Sequence, residues 1–338
     1  MTKENKPLVT IVVPIYNIAQ YFDDCVQSIA TQTYENLEVF LVAGMSPDNS
    51  IELAEEFSKK DKRFRYLSSE DNSLSGNRNT GLSQATGKYI MFIDGDDFIS
   101  KDAVENMVNT IERDQSDVAL GLFEQYKEYK DHADVIDNRL DPRVFEQGCR
   151  DKILRHLVKR KYAPSACRTM FSKSFLNEND LMFPKDTSMA EDMHFTTRVY
   201  TKADKISYYD GVIYHYRIRE GSIIRSSLTA SKVVTLLGVT TSLLEYSKTR
   251  TNKSERKYIR HQAFVATYVW LAFSAKLPKP EKIKVKAFIR GHKKQIRSIL
   301  WKSKMVGIWT RMVGIIPGCA SSYSAIRCVK NIFKRKKR

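Results

Sequence analysis

Four residues, Asp94-Gly-Asp-Asp97, gather three carboxylates around one glycine. Carboxylates packed this tightly repel one another unless a cation sits among them. Oxygen ligands of this kind suit Mg²⁺ or Mn²⁺, which commonly keep waters and take substrate phosphates as their other ligands. Tyr89 to Ile93, just before the acids, is an apolar run that predicts a short buried strand. Such a strand would deliver the acids to a sheet edge, where ligands of open α/β sheets bind. Gly95 would let a bulky ligand approach the main chain. The competing interpretation is a solvated acidic turn after a strand.

The elements that must position this turn are legible upstream. Leu8 to Tyr16 is a continuous apolar, β-branched run of the kind found in a central parallel strand, and Pro14 would end its ladder pairing. Residues 20–31 carry Phe22, Cys25, Val26 and Ile29 at helical spacing. Leu37 to Val42 predicts a second buried strand. Ser46-Pro-Asp-Asn-Ser50 supplies turn chemistry and a cap for a helix bearing Ile51, Leu53, Ala54 and Phe57. Phe64 to Leu67 predicts a third strand, and Asn77 to Ala85 a helix closed by Gly87. Alternating strands and helices predict an open α/β sheet. A dehydrogenase-type dinucleotide site is disfavoured because no G-x-G-x-x-G follows the first strand, and no P-loop motif is present. Further along, Val104 to Ile111 and Asp151 to Leu157 read as helices, Val118 to Phe123 and Ile213 to Arg219 as strands, and residues 229–300 as helices.

Composition narrows the class. The 338 residues are 42% hydrophobic, enough for a sizeable core in one large or two ordinary domains. The polar start and the lack of a long uncharged apolar run predict neither a signal peptide nor a membrane-spanning helix. Five scattered cysteines (Cys25, Cys149, Cys167, Cys319, Cys328) without CxxC spacing point to a reducing compartment and away from a zinc site. The net charge of +17 is concentrated: residues 279–338 hold 18 Lys plus Arg against one acid, Glu281, so the rest of the chain is neutral. This is an enzyme-like body with a basic tail, not a uniformly basic nucleic-acid binder.

Taken in order, Val9-Thr-Ile-Val-Val-Pro-Ile-Tyr-Asn17, Gln32-Thr33, Arg78-Asn-Thr-Gly81, Ala85-Thr-Gly87, Asp94-Gly-Asp-Asp97, Glu191-Asp192 and the Tyr/His/Arg-rich segment near residue 215 form a series. The series resembles family 2 glycosyltransferases of the inverting, bacterial surface-polysaccharide type, over roughly residues 7–225. The resemblance implies a GT-A fold, a Rossmann-like and mostly parallel α/β sheet, with residues 1–115 as the nucleotide-binding half and 116–225 as the acceptor half. Residues 226–338 would form a helical, basic extension.

By the same resemblance, Asp96 would hold a divalent metal, Mn²⁺ or Mg²⁺, on the donor diphosphate, with Asp94 at the ribose or the metal waters. Asp192, beside Glu191, would be the general base, the two acids pointing differently from a helix start. An inverting transfer needs one carboxylate for the acceptor proton and a cation for the leaving diphosphate. Arg78 would serve phosphate or base, unless it is a surface helix arginine. Pro14 and Tyr16 would lie in the nucleoside loop, and His215, Arg217 and Arg219 would close over the diphosphate. His215 also reads as a strand residue with ordinary hydrogen bonds.

One departure stands out. Where the family carries two aspartates after its second strand, this sequence has Ala43 and Gly44. A base edge without its acceptor loses specificity. Either main-chain groups or Asp48 replace it, or the protein no longer binds a usual donor. The expected function is therefore a hexosyltransferase using a nucleotide-sugar, a UDP-sugar, on a glycan, lipid-linked or polyol-phosphate acceptor. The alternative is a non-catalytic GT-A protein that binds a partner transferase or glycan.

In the tail, Met305, Ile308, Trp309, Met312 and Ile316 recur at helical spacing among basic residues, and Lys334 to Arg338 ends the chain. This pattern predicts that residues 301–338 meet an anionic membrane surface, placing the protein peripherally on the cytoplasmic, inner face. A helix packed on the body with a solvated charged tail, or nucleic-acid binding through the tail, are the other interpretations.

Overall fold

The computed structural model describes residues 6–126, 139–146, 148–160, 162, 164–185, 187, 189–218 and 229–291. The amphipathic segment predicted within 301–338, residues 292–300 and Arg219 lie outside these.

The described residues form two compact units. The first holds an eight-stranded sheet. Its parallel part runs β3 (Phe64–Ser68), β2 (Leu37–Ala43), β1 (Val9–Pro14), β4 (Tyr89–Phe92), with β1 between β2 and β4. Every residue of β1 and β4 is buried, which explains why both read as unbroken apolar runs rather than alternating ones. The sheet continues through β7 (Thr169–Ser172), β6 (Val118–Tyr126), β8 (Ile206–Arg217) and the two-residue β5 (Phe98–Ile99). β7 is antiparallel to both β4 and β6, and so reverses direction in the middle of the sheet.

Helices α1 (Phe22–Ala30), α2 (Ser50–Lys60) and α3 (Leu74–Gln84) connect the parallel strands, and α4 (Ala103–Asp114) leads from β5 to β6. Ile11, Val13, Val39, Leu41 and Met91 share one core with Val26 and Ile29 of α1 and Val104 and Met107 of α4. The remaining helices of this unit are α5 (Pro142–Glu146), α6 (Arg150–Lys159), α7 (Lys173–Glu178) and α8 (Glu191–Lys202).

The sequence patterns differ from the structure at several places, the two-residue β5 and the five-residue α5 among them. α3 begins at Leu74 rather than Asn77, because Ser73 caps it by accepting the Gly76 N–H. β8 begins at Ile206, seven residues before the aromatic run that announced it. β7 and α7 were not anticipated, since four and six residues carry no readable period.

The second unit contains α9 (Ala230–Thr249), α10 (Lys253–Lys276) and α11 (Lys279–Gly291). Val239 and Leu243 of α9 pack on Ile259 and Ala263 of α10. Among the described residues no helix is long and apolar enough to cross a membrane.

Candidate functional site

β4 ends in a tight turn in which the Asp97 N–H donates to the Asp94 carbonyl at 2.9 Å. The three acids then have three different fates. Asp97 is buried and accepts hydrogen bonds from Tyr214 Oη–H and from the Arg217 N–H, so it ties the turn to β8. Burial, together with the Asp96 and Asp94 charges, pushes its carboxyl well above the usual range. Asp94 keeps 28% of its side chain exposed and accepts from Arg78 Nη2 at 2.6 Å. Asp96 is half-buried, and its carbonyl accepts from Arg217 Nε at 3.1 Å. Gly95 has a packing role. A Cβ there would meet Ile18 at 2.9 Å and the Pro14 carbonyl at 3.0 Å.

The centre of the site is Arg78, which is 1% exposed. Its burial excludes the surface-helix interpretation. α3 carries it inward, and the guanidinium lies 5.2 Å above the Phe183 ring. Nη1 donates to Glu191 Oε1 at 3.0 Å and to Asp192 Oδ1 at 2.9 Å, while Nη2 donates to Asp94. One guanidinium thus joins acids that are nearly a hundred positions apart in sequence. Glu191 and Asp192 do not diverge as the helix-start pattern suggested. Both are drawn to the same nitrogen. Ala190, immediately before them, takes a left-handed φ of 61°, a conformation that costs a non-glycine residue roughly 1 kcal/mol or more.

Further partners come from the segment just before β7, which the sequence patterns did not single out. Asp192 Oδ2 accepts from Ser165 Oγ–H and from the Ala166 N–H, both at 3.2 Å, and Cys167 Sγ lies 3.9 Å from Arg78 Nη2. Asn79 and Phe183 exchange hydrogen bonds of 2.9 and 3.0 Å, which fixes the segment under the guanidinium. Phe92, Phe171, Phe183 and Phe195 form an aromatic floor, with Phe183 stacked on Phe195 at 4.0 Å. Only the buried, apolar character of this floor was visible in the sequence.

Three carboxylates on one cation leave excess negative charge, and burial penalises it. Glu191 has the smaller exposed fraction (11% of the side chain, against 21% for Asp192) and is pushed up to about 7 by burial, with Arg78 opposing the rise and Asp192 adding to it. Asp192 is also raised by burial, held back by Arg78 and by its Ala166 and Ser165 hydrogen bonds. Burial thus raises both members of the pair, and Arg78 opposes the rise in both.

The other predicted site residues occupy distinct places. Pro14 is buried at the end of β1, and Tyr16, just beyond, is 53% exposed. Arg217 is buried, its guanidinium over the rings of Tyr21, Phe98 and Tyr126, with Nη2 donating to Asp24 at 2.7 Å. His215 stacks on Phe98 at 4.6 Å, with Nδ1 2.6 Å from Glu124 and Nε2 2.9 Å from Ser100. Both its ring nitrogens are engaged outside the acid cluster.

At the departure, Ala43 is buried, and a Cβ on Gly44 would lie 1.9 Å from Asn72 Oδ1 and 2.4 Å from the Ser69 carbonyl. A side chain cannot enter there without displacing main chain. Asp48, the suggested substitute acceptor, is already committed: it accepts from the Ala19 N–H, Ser46 Oγ–H and Ser50 Oγ–H, pinning the loop after β1.

Among the described residues, no group of three or more His, Cys, Asp or Glu side chains is arranged to hold a metal ion. Asp94 and Asp96 flank the glycine of the turn, and this donor set suits a hard cation that completes its shell with phosphates and water.

The chain is similar to known proteins in sequence and in fold. The model for "Glycosyl transferase family 2" matches residues 10–177. Glycosyltransferase GlyG of Streptococcus pneumoniae serotype 4 is 31% identical over 229 residues, covering 66% of this chain and 75% of that protein. The uncharacterized glycosyltransferase EpsJ of Bacillus subtilis strain 168 is 31% identical over 218 residues, 64% of this chain and 63% of that relative, so the chain spans less than two thirds of its length. TarS of Staphylococcus aureus strain Mu50, a poly(ribitol-phosphate) beta-N-acetylglucosaminyltransferase, is 26% identical over 223 residues, 64% of this chain and 37% of that protein. The crystal structure of S. aureus TarS 1–349 in complex with UDP-GlcNAc shares the fold, with a TM-score of 0.61, 20% identity and 88% coverage of each chain. The sheet, the motif order and these matches agree: the chain belongs to glycosyltransferase family 2 and has a GT-A-like α/β fold.

Proposed function

We propose that this protein moves a sugar from a UDP-sugar donor to a glycan, lipid-linked or polyol-phosphate acceptor, with inversion at the anomeric carbon and with Asp192 as general base. The observation that carries the proposal is the convergence of Glu191 and Asp192 on the same buried guanidinium as Asp94. A carboxylate offers about four lone-pair sites, and Arg78, Ser165 and Ala166 take three on Asp192. The remaining site receives the acceptor hydroxyl proton as the acceptor oxygen bonds to the anomeric carbon and the bond to the diphosphate breaks. Arg78 holds the base in register with the donor-side acid, so that proton removal and departure of the diphosphate occur in one frame. Asp96, with Asp94, would hold the Mn²⁺ or Mg²⁺ that neutralises charge on the leaving diphosphate.

The polyol-phosphate acceptor and the UDP-linked donor draw support from TarS, by its name and its UDP-GlcNAc complex. Tyr16, exposed at the end of β1, would take part in holding the nucleoside. The basic residues 301–338 would keep the protein on the anionic, cytoplasmic face of the membrane. A second interpretation, a non-catalytic GT-A protein that binds a transferase or glycan, is favoured by one observation: Ala43, Gly44 and the committed Asp48 leave no carboxylate for a base edge after β2.

Turnover separates the two. Sugar transfer from UDP-sugars, followed by mass spectrometry of a polyol-phosphate or lipid-linked acceptor, should fall about 10³-fold in Asp192→Asn while UDP binding stays within about threefold. Transfer at the wild-type rate by the variant would remove Asp192 from its role. A folded wild type without transfer on any such pair would favour the non-catalytic interpretation.

A further inference from the structure

We propose that α11 is a membrane-surface helix, lying flat on anionic lipid with Ile283 as its apolar anchor. The inference rests on the peripheral-membrane part of the function proposed above and adds a second, separate contact to the one assigned to residues 301–338.

The helix has two unlike faces. Inward, Val285 and the preceding Leu277 are buried, and the sole acid of the helix, Glu281, accepts the Ala230 N–H of α9 at 2.6 Å and Lys284 Nζ–H at 2.7 Å. Outward, Lys279, Ile283 and Ala287 are exposed at four-residue spacing and so share one stripe. Ile283 is 68% exposed, against 59% for Met45 and 53% for Tyr16. Lys284, beside it, keeps 68% of its side chain exposed, and Lys282 is half-exposed. By sequence the helix holds five basic residues and one acid.

An isoleucine left in water among lysines does nothing for folding, since its burial is the only favourable term it offers. At a lipid headgroup boundary the same arrangement is favourable twice: the side chain leaves water and the ammonium groups meet phosphate. Thirteen residues make a rod of about 20 Å, too short to span a bilayer, so the helix lies on the surface. Charge selects the occupant. A second copy of this face would repel it, and a nucleic acid would use the lysines but gain nothing from the Ile283–Ala287 stripe.

The test is co-sedimentation of the full chain with phosphatidylcholine vesicles with and without one-third phosphatidylglycerol. Wild type should bind only the anionic vesicles. Ile283→Glu should lower partitioning about tenfold, and Lys279→Glu with Lys284→Glu by about 20-fold or more, since each base near the lipid is worth about fivefold. Ile283→Trp should strengthen binding, an arm that does not depend on a loss. Circular dichroism checks that each variant folds. A chain lacking residues 301–338 should bind more weakly and remain sensitive to Ile283→Glu. Unchanged binding of the Ile283 and lysine variants, with loss on tail deletion, would overturn the α11 contact and leave the tail proposal intact. No binding of wild type to anionic vesicles would overturn both. Equal losses on duplex DNA in all variants, without any effect on vesicles, would reassign the helix to nucleic acid.

Discussion

Arg78 and Arg217 are both buried arginines that grip the acidic turn after β4, yet they do different things. Arg78 lies among three carboxylates that keep 28%, 11% and 21% of their side chains exposed. Its partners are therefore held by the guanidinium while each keeps part of its side chain exposed. Arg217 lies among three aromatic rings, and its main-chain N–H donates to the buried Asp97. Its carboxylate partner Asp24 is on α1, 62% exposed. Burial and ion pairing alone do not distinguish chemistry from scaffolding here. What distinguishes them is that Arg78 gathers three partly exposed carboxylates at one point, whereas Arg217 is held among aromatic rings and main-chain groups of the turn.

Substitutions that remove each guanidinium should break the comparison in different places. Arg78→Gln leaves three acids to share one site. It should cost about 3–5 kcal/mol of stability, the typical price of orphaning a buried charge, and lower kcat per folded molecule by about 10²-fold or more. Arg217→Lys keeps the charge but loses the planar stacking, and should cost about 1–3 kcal/mol while changing kcat less than about threefold. Denaturant melts with initial rates on the same samples check both. A kcat loss for Arg217→Lys as large as that for Arg78→Gln would erase the distinction.

The smallest effect concerns Glu191, raised by burial to about 7. An acid whose folded pKa lies above its unfolded value binds its proton more tightly in the native state. Its contribution to stability is thus full below the ordinary glutamate range and is lost as pH rises through about 7. Wild type should lose on the order of 2 kcal/mol between those limits from this group, and Glu191→Gln should flatten that part of the curve. Urea unfolding at successive pH values reads it directly. An unchanged slope would show that Glu191 is ionised throughout.

The parallel half of the sheet was legible because β1, β2 and β4 are buried on both faces and so spell continuous apolar runs. β7 was not, since four residues give no pattern and its antiparallel course depends on the β4 and β6 neighbours it finds. For the candidate site, the order of motifs brought the acids into view. The role of Arg78 as their common partner was hidden because its contacts lie 16, 113 and 114 positions away. Asp48 misled for the opposite reason: an acid in the right loop is consumed by serines two residues to either side, a local competition that composition does not reveal. Gly44 reads as a missing acid in sequence, but in the structure its place is filled by Asn72.

The central claim, a donor site built on the acidic turn, is tested most directly by calorimetric titration of UDP, CDP and GDP with and without Mn²⁺, on wild type and Asp96→Ala. UDP should bind in an Mn²⁺-dependent way to wild type, and that binding should be lost in Asp96→Ala, with the variant still folded. A folded wild type that binds none of these nucleotides, or an Asp96→Ala variant that binds UDP with undiminished dependence on the metal, would contradict it.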